Sequence, residues 1–505
     1  YNWAAVAVSL VFGGVTDFSI RLPSILCGMG VVILTFLIGK RMFSTKVGLW
    51  AGLILTASFH FIRVSCLART DMMLCFFITL ALYLFLLAYD DEQHRSRYSL
   101  LAFVSMGLGS ITKGPVGFIV PVLVVLVFLA LRRELGMLKS MRPVWGLVIW
   151  TAIMGGWFGA ALIEGGKTFF NVVVMDEMVN RFLGVGTRAE KTRPVYYLLG
   201  HFFGRFLPWS LFVPSALVRF WKSDARRVDN RLLFPVVWFL TVLIFFSISK
   251  GKRSDYIIPL YPAASIIVAQ MWVLITERKL GQPWTSHVRI ISTVYLAVCA
   301  IGTVGLALLV AVPPVHDTVM RMVPKSADDI DLLVRSVASR AAISATIFIP
   351  LVLISAAGVA AGVKKRFTPL FGVTVAATAL GLAMYFNVMS TEAKTLDGHR
   401  KKTFCAEAAR LIGTSDNLVF CGTKESLMFY MSKNGPYITQ DEVINFFRAN
   451  ADPFVIISGR ALDVMPPHPD FEFVQMAKCQ CVEKNRTYLL LGKKQRAGTE
   501  GKKTG

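Results

Sequence analysis

Phe245-Phe246-Ser247-Ile248-Ser249-Lys250-Gly251-Lys252-Arg253-Ser254-Asp255-Tyr256-Ile257-Ile258-Pro259-Leu260-Tyr261-Pro262 is the stretch that decides the fold. Apolar residues run up to Ser249, three cations follow within four positions, and a second apolar run starts at Ile257. Each flanking run has roughly the 20 residues that cross a bilayer core. The basic knot at 250–256 is therefore a short loop between two spans. Cations packed this tightly at the end of a membrane helix suit a phosphate or lipid headgroups.

Composition extends this reading to the whole chain. The 505 residues are 55% hydrophobic and 17% charged, with mean hydropathy +0.58. A soluble protein of this size carries more charge. Apolar runs recur at about 22–39, 47–62, 72–89, 99–112, 115–131, 144–163, 200–219, 232–249, 256–276, 289–312, 341–362 and 368–388, twelve predicted spans. Residues 99–131 read as one broken span or as a tight pair around Thr112-Lys113-Gly114-Pro115. Residues 1–15 suit a helix at the interface. The fold class is a polytopic α-helical membrane protein.

Net charge is +23, but the basic residues lie in short loops, which argues for topology and against nucleic acid. One alternate set of loops is basic throughout: Lys40, Arg41 and Lys46; Arg95 and Arg97; Arg132, Arg133, Lys139 and Arg142; Arg219 to Arg231; Arg278, Lys279 and Arg289; Lys364 to Arg366. That set is placed in the cytoplasm. The outer set then holds Arg63, Arg69 and Asp71, Lys113, the loop 164–199 and the knot. Cations on the outer side work against the positive-inside bias, so they point to a ligand. Within the long outer loop, 168–183 reads as an amphipathic surface helix.

Each candidate also has a plainer reading. Asp71, before an apolar run, suits a helix cap as well as a base, a metal ligand or a sugar-hydroxyl acceptor. Lys113, taken alone, reads first as a snorkelling lysine, and otherwise as a grip on an anion. Arg181 closes the surface helix and suits a solvated face. His201 and Arg205 lie within a span, where ionisable residues face the bundle interior. Lys250 and Lys252 suit a phosphate, and Tyr256 and Tyr261 suit a sugar or the lipid interface. Arg69, Lys113 and the knot on one side are less expected by chance than any one of them.

From about 395 the chain changes character. Residues 402–412 and 441–449 read as helices, and 418–421, 454–457 and 488–491 as buried strands. The predicted domains are thus 1–390 in the membrane, a small α/β domain over 391–495, and a disordered tail at 496–505. Four cysteines lie in or beside spans. Cys405, Cys421, Cys479 and Cys481 lie in the C-terminal part, where three pairings are open. Cys479-Gln-Cys481 is too closely spaced to argue for zinc. The chain begins at Tyr1 with no signal peptide and reads as truncated at its N-terminus.

Ser110-Ile111-Thr112-Lys113-Gly114-Pro115, Asn180-Arg181-Phe182, Arg193-Pro194-Val195-Tyr196-Tyr197, Leu207-Pro208-Trp209 and Phe245 to Lys252 occur in that order. With Arg21-Leu22-Pro23-Ser24 and Ala68-Arg69-Thr70-Asp71, they make the chain resemble the bacterial lipid A aminoarabinose transferases and related members of the protein O-mannosyltransferase superfamily. The resemblance covers about 1–270 by motif and the rest by architecture. It implies a GT-C fold of about thirteen spans in the bacterial inner membrane, with its active site and C-terminal domain on the periplasmic face. It implies a glycosyltransferase, hexosyl or pentosyl, whose donor is a sugar on undecaprenyl phosphate or a similar polyprenyl phosphate. The acceptor would be lipid A, a glycan or a protein. On this reading Lys113, Lys250, Lys252, Arg69 and Arg181 hold the donor phosphate. Tyr256, Tyr261 and Tyr197 contact substrate. Asp71 orients the sugar or assists a main catalytic carboxylate that precedes Tyr1. The only cofactor the resemblance raises is a divalent metal. The family's outer-loop histidines fall at Met178 and Lys191 here, so no metal ligand is assigned and aminoarabinose itself is a less favoured sugar. The alternative class is a lipid-linked sugar transporter or flippase, or a non-catalytic relative. A transporter predicts charges spread through the bilayer and inverted-repeat symmetry, and neither is visible.

Overall fold

The computed structural model describes residues 1–171, 175, 193–222, 231–249, 251–312, 341–390, 393–423, 426–431, 433–465, 471–481 and 486–495. Residues 172–174 and 176–183 of the predicted 168–183 helix lie outside these residues. Arg181, Met178, Lys191, Lys250 and the 496–505 tail lie outside them too.

Helices dominate up to residue 412: α1 (Asn2–Val11), α2 (Asp17–Met42), α3 (Thr45–Thr56), α4 (Phe59–Ser65), α5 (Thr70–Asp90), α6 (Arg95–Lys113), α7 (Val116–Arg132), α8 (Pro143–Phe169), α9 (Tyr197–Arg205), α10 (Val213–Lys222), α11 (Leu233–Ile248), α12 (Tyr261–Thr276), α13 (Trp284–Ala311), α14 (Ala341–Val363), α15 (Phe367–Ser390) and α16 (Ala393–Ile412). Short 3₁₀ turns at Leu135–Met141, Trp209–Phe212 and Ser254–Leu260 join some of them. Local signals set the ends. Thr16 and Ser19 exchange reciprocal hydrogen bonds of 3.0 and 2.8 Å at the start of α2, the capping box that closes an N-terminus. Gly114 ends α6 at φ 81°, a backbone state open to glycine.

Seven helical segments among the described residues are long and apolar enough to cross a membrane: Asp17–Met42, Thr70–Asp90, Pro143–Lys167, Ser254–Thr276, Trp284–Ala311, Thr346–Val363 and Phe367–Phe386. The pair α3 and α4, bent by 71° at their junction, makes an eighth if it counts as one span. The protein is thus a multi-pass membrane protein, and the twelve predicted spans thin out for identifiable reasons. The 200–219 run is α9, a 3₁₀ turn and α10, interrupted at Phe206-Leu207-Pro208. α7 and α11 are apolar but short. α6 carries Arg95, Arg97 and Lys113 near its ends. The open choice at 99–131 falls to the pair, since α6 and α7 pack together across Gly114. A Cβ at Gly117 would meet the main chain of Gly109 at 2.3 Å, so these helices approach to a distance only glycine allows.

The chain divides into two compact units: residues 1–304 with 349–382, and 305–348 with 383–505. The first has, beside a smaller cluster around Ala81, Ala102 and Met106, a large apolar core. There Trp50 stacks on Phe371 at 3.8 Å, and Trp209, Phe212 and Trp272 crowd around them. The second unit carries α16, β1 (Leu418–Cys421), α17 (Ser426–Met431), α18 (Gln440–Ala449), β2 (Phe454–Ser458), α19 (Gly459–Leu462), β3 (Phe471–Cys481) and β4 (Arg486–Gln495). The sheet order is β1-β2-β4-β3, with β1 parallel to β2 and the other pairs antiparallel. The three predicted strands are present. β3 was not foreseen, because Phe471-Glu-Phe-Val-Gln-Met-Ala-Lys-Cys-Gln-Cys mixes apolar and charged residues around a register shift at Gln475–Ala477. Cys405, Cys421 and Cys479 are buried, and burial pushes the Cys405 thiol up to about 12.

Candidate functional site

Three chain breaks converge in the first unit: the turn from α4 into α5, the Gly114 break after α6, and the 3₁₀ turn Ser254–Leu260. Each delivers charge for a local reason. Asp71 lies in the first turn of α5 and Lys113 in the last turn of α6, where the helix dipoles favour an anion and a cation respectively. Arg69 is extended just before α5, and its carbonyl accepts a 3.1 Å hydrogen bond from Ser24 Oγ.

The charges pair across these breaks. Lys113 Nζ donates to Asp71 Oδ1, and the same ammonium sits 4.5 Å from the centre of the Tyr256 ring. Lys113 is therefore engaged inside the protein, and the snorkelling reading gives way. The capping reading of Asp71 gives way as well, since its carboxylate meets Lys113 and α5 has no side-chain cap. Arg69 and Arg253 add positive potential at Asp71. Beside this pair, Arg69 NH1 donates to Asp255 Oδ2 at 2.6 Å. Arg205 NH1 lies 3.6 Å and His60 Nε2 3.5 Å from Asp255 Oδ1. Arg205 NH1 also donates to Ser254 Oγ at 2.8 Å and lies 3.2 Å from His60 Nδ1. Three paired cations, Arg69, Lys113 and Arg205, thus face two carboxylates, with Arg253 close by. An excess of partly buried positive charge is a setting for an anionic ligand.

The predicted residues separate into groups. Arg69, Asp71, Lys113 and Tyr256 come together. Tyr197 stands at the start of α9 between the Arg193 guanidinium, 5.0 Å from its ring centre, and the His201 ring at 4.2 Å. Lys252 departs from the phosphate contact expected of it. Its side chain is buried, and Nζ donates to the carbonyls of Arg193 and Pro194 at 3.0 and 3.2 Å. Burial also lowers its pKa below the usual lysine value. Tyr261 departs from the expected sugar contact, because it is fully buried against Phe206 at 4.8 Å and His60 at 5.8 Å. Lys250 and Arg181 lie outside the described residues.

Sequence reasoning left Arg205 without a role and passed over His60 and the part played by Asp255. The signal for His60 was present: Phe59-His60-Phe61-Ile62 puts an ionisable ring in an apolar helix, where it needs a partner. Among the described residues no group of three or more His, Cys, Asp or Glu is placed to hold a metal ion.

Comparison with known proteins agrees with this architecture. Residues 1–157 match the family model described as dolichyl-phosphate-mannose-protein mannosyltransferase. An uncharacterized protein of Aquifex aeolicus is 32% identical over 258 residues, which are 51% of this chain and 49% of that one. An undecaprenyl phosphate-α-4-amino-4-deoxy-L-arabinose arabinosyl transferase of Pseudomonas fluorescens is 27% identical over 281 residues, 55% of this chain and 48% of that protein. The chain thus spans about half the length of the curated relatives it matches. The crystal structure of ArnT from Cupriavidus metallidurans bound to undecaprenyl phosphate superposes with a TM-score of 0.74 at 18% identity, covering 97% of this chain and 86% of that one. The fold is therefore the GT-C fold that the sequence resemblance implied, and the chain is similar to the aminoarabinose transferases and protein mannosyltransferases.

Proposed function

We propose that this GT-C membrane protein is a glycosyltransferase of a bacterial inner membrane. It transfers a sugar from a polyprenyl phosphate, such as undecaprenyl phosphate, to a lipid A, glycan or protein acceptor on the periplasmic face. The observation that carries this reading is the convergence of Arg69, Lys113 and Arg205 on two carboxylates at neighbouring chain breaks.

In such a transfer an acceptor oxygen attacks the anomeric carbon, the bond from that carbon to the phosphate oxygen breaks, and the proton of a hydroxyl acceptor ends on the departing phosphate. The polyprenyl phosphate leaves with the electron pair, so negative charge grows on the phosphate. Cations already fixed in place stabilise that charge without reorganising. Lys113 has three N–H donors, of which one goes to Asp71. Arg69 has five, and its side chain is 40% exposed. Both can therefore keep their carboxylate and still meet a phosphate. Asp71, held by Lys113, presents its remaining lone pairs to a sugar hydroxyl. Tyr256 and Tyr197 offer ring faces for the sugar. Lys252 fastens the chain at Arg193–Pro194 to the knot. Lys250 and Arg181 are further candidates for the phosphate. Loop charge favours a cytoplasmic placement of Lys139 and Arg142 and a periplasmic one of Arg69 and Lys113. The α/β domain at 391–495 would share the periplasmic side.

The test uses the full-length protein in proteoliposomes with a labelled polyprenyl-phosphate sugar. Arg69→Ala and Lys113→Ala are each expected to lower turnover about a hundredfold, as removal of one charge-stabilising donor does. Wild-type turnover in both variants would sink the phosphate assignment.

A further inference from the structure

Asp255 is only 7% exposed, and a buried carboxylate needs partners. It has them on three sides. Arg69 NH1 holds Oδ2 at 2.6 Å, while Arg205 NH1 and His60 Nε2 lie 3.6 and 3.5 Å from Oδ1. His60 is fully buried, and its Nε2 makes no closer hydrogen bond among the described residues.

The direction of these bonds follows from donor chemistry. An arginine can only donate. Arg205 NH1, 3.2 Å from His60 Nδ1, therefore makes Nδ1 the acceptor. The neutral ring then carries its proton on Nε2, the nitrogen that faces Asp255. A chain of polar contacts results, from Arg205 on α9 through His60 on α4 to Asp255 in the 3₁₀ turn and on to Arg69 before α5. Its last member is the most exposed of the four. Three buried or half-buried groups thus end on one guanidinium that still has N–H groups to offer.

We propose that Asp255 is a positioning residue for the polyprenyl-phosphate site. Its ion pair with Arg69 fixes the guanidinium that meets the lipid phosphate, and His60 and Arg205 fix the carboxylate from behind. This rests on the donor reading given above. It also makes a prediction opposite to that of bulk charge. A carboxylate next to a phosphate repels it, so removing the charge without any loss of positioning would tighten binding. Loss of positioning weakens it.

The experiment measures binding of undecaprenyl phosphate to the full-length protein in lipid nanodiscs, with thermal unfolding as the check on folding. Asp255→Asn is expected to weaken binding about tenfold or more, the scale of one charge-assisted contact. Asp255→Glu keeps the charge but shifts it, and should weaken binding by a smaller factor. Arg69→Lys combined with Asp255→Asn should bind no worse than Arg69→Lys alone, because both act through the same contact. A folded Asp255→Asn protein that binds as well as wild type, or better, overturns the proposal. If Asp255→Asn does not fold, Asp255→Glu decides, and unchanged affinity there overturns it. No binding by the wild type would remove the donor reading itself, whereas wild-type binding with an indifferent Asp255→Asn removes only the positioning role.

Discussion

Asp71 and Lys113 illustrate how one contact can serve both fold and site. Asp71 is 11% exposed at its side chain and Lys113 27%. Breaking a buried ion pair by removing one partner costs several kcal/mol, because the other charge is left unpaired. Lys113→Met should therefore destabilise the protein by about 2–3 kcal/mol, somewhat less than a fully buried pair because Lys113 is partly wet. Adding Asp71→Asn removes the stranded charge and should restore much of the loss without restoring activity. Thermal unfolding of the single and double variants checks this; equal stability of the two would contradict it. At this scale the sequence was partly legible. Arg69, Asp71, Lys113 and the knot could be placed on one side from loop charge alone. The buried fates of Lys252 and Tyr261 could not, because they depend on which carbonyls and rings the tertiary fold brings alongside.

The α6–α7 pair shows what an element contributes. Lys113 holds its place because α6 stops at Gly114 and α7 folds back against it. The turn was readable from Lys113-Gly114-Pro115, but the close approach of Gly109 and Gly117 was not, since a single glycine in an apolar run has many uses. Gly117→Ala should force the helices apart, with a cost of about 1–3 kcal/mol for overpacking and weaker donor binding as Lys113 shifts. Unchanged stability and binding would show that the pair has room to spare. In the second unit, Glu442 closes the start of α18, where its carboxylate accepts from Thr439 N–H at 2.7 Å and Thr439 Oγ1 at 2.9 Å. The Thr439 amide hydrogen bond, then the hydroxyl, holds its pKa below the usual glutamate value. A carboxylate depressed in the folded state stabilises above its unfolded value, about 4.3, and loses that contribution as pH falls through the depressed one. Hydrogen exchange at residues 439–443, corrected for intrinsic rates, should therefore lose protection across that acid window. The Glu442→Gln protein should show no such step.

At the scale of the molecule, the membrane class and the C-terminal α/β unit were legible because hydropathy and strand-length apolar runs are averages over many residues. The span count was less so, because the bend between α3 and α4 and the breaks around Pro208 turn apolar runs into shorter pieces. Orientation can be tested independently of chemistry. Ala68 and Lys139 are both exposed, and loop charge assigns them to opposite sides. In intact cells a membrane-impermeant maleimide should label a cysteine at Ala68 above the native background, and one at Lys139 only after permeabilisation. The reverse pattern would invert the topology.

On the proposed function, the cations gathered around Asp71 and Asp255 hold a lipid phosphate. The most direct measurement compares the affinity of the full-length protein for undecaprenyl phosphate and for undecaprenol, its uncharged alcohol. A preference for the phosphate of at least tenfold is expected, and it falls away in the Arg69→Ala/Lys113→Ala double variant. Equal affinity for the two lipids, or a preference that survives the double substitution, would contradict it.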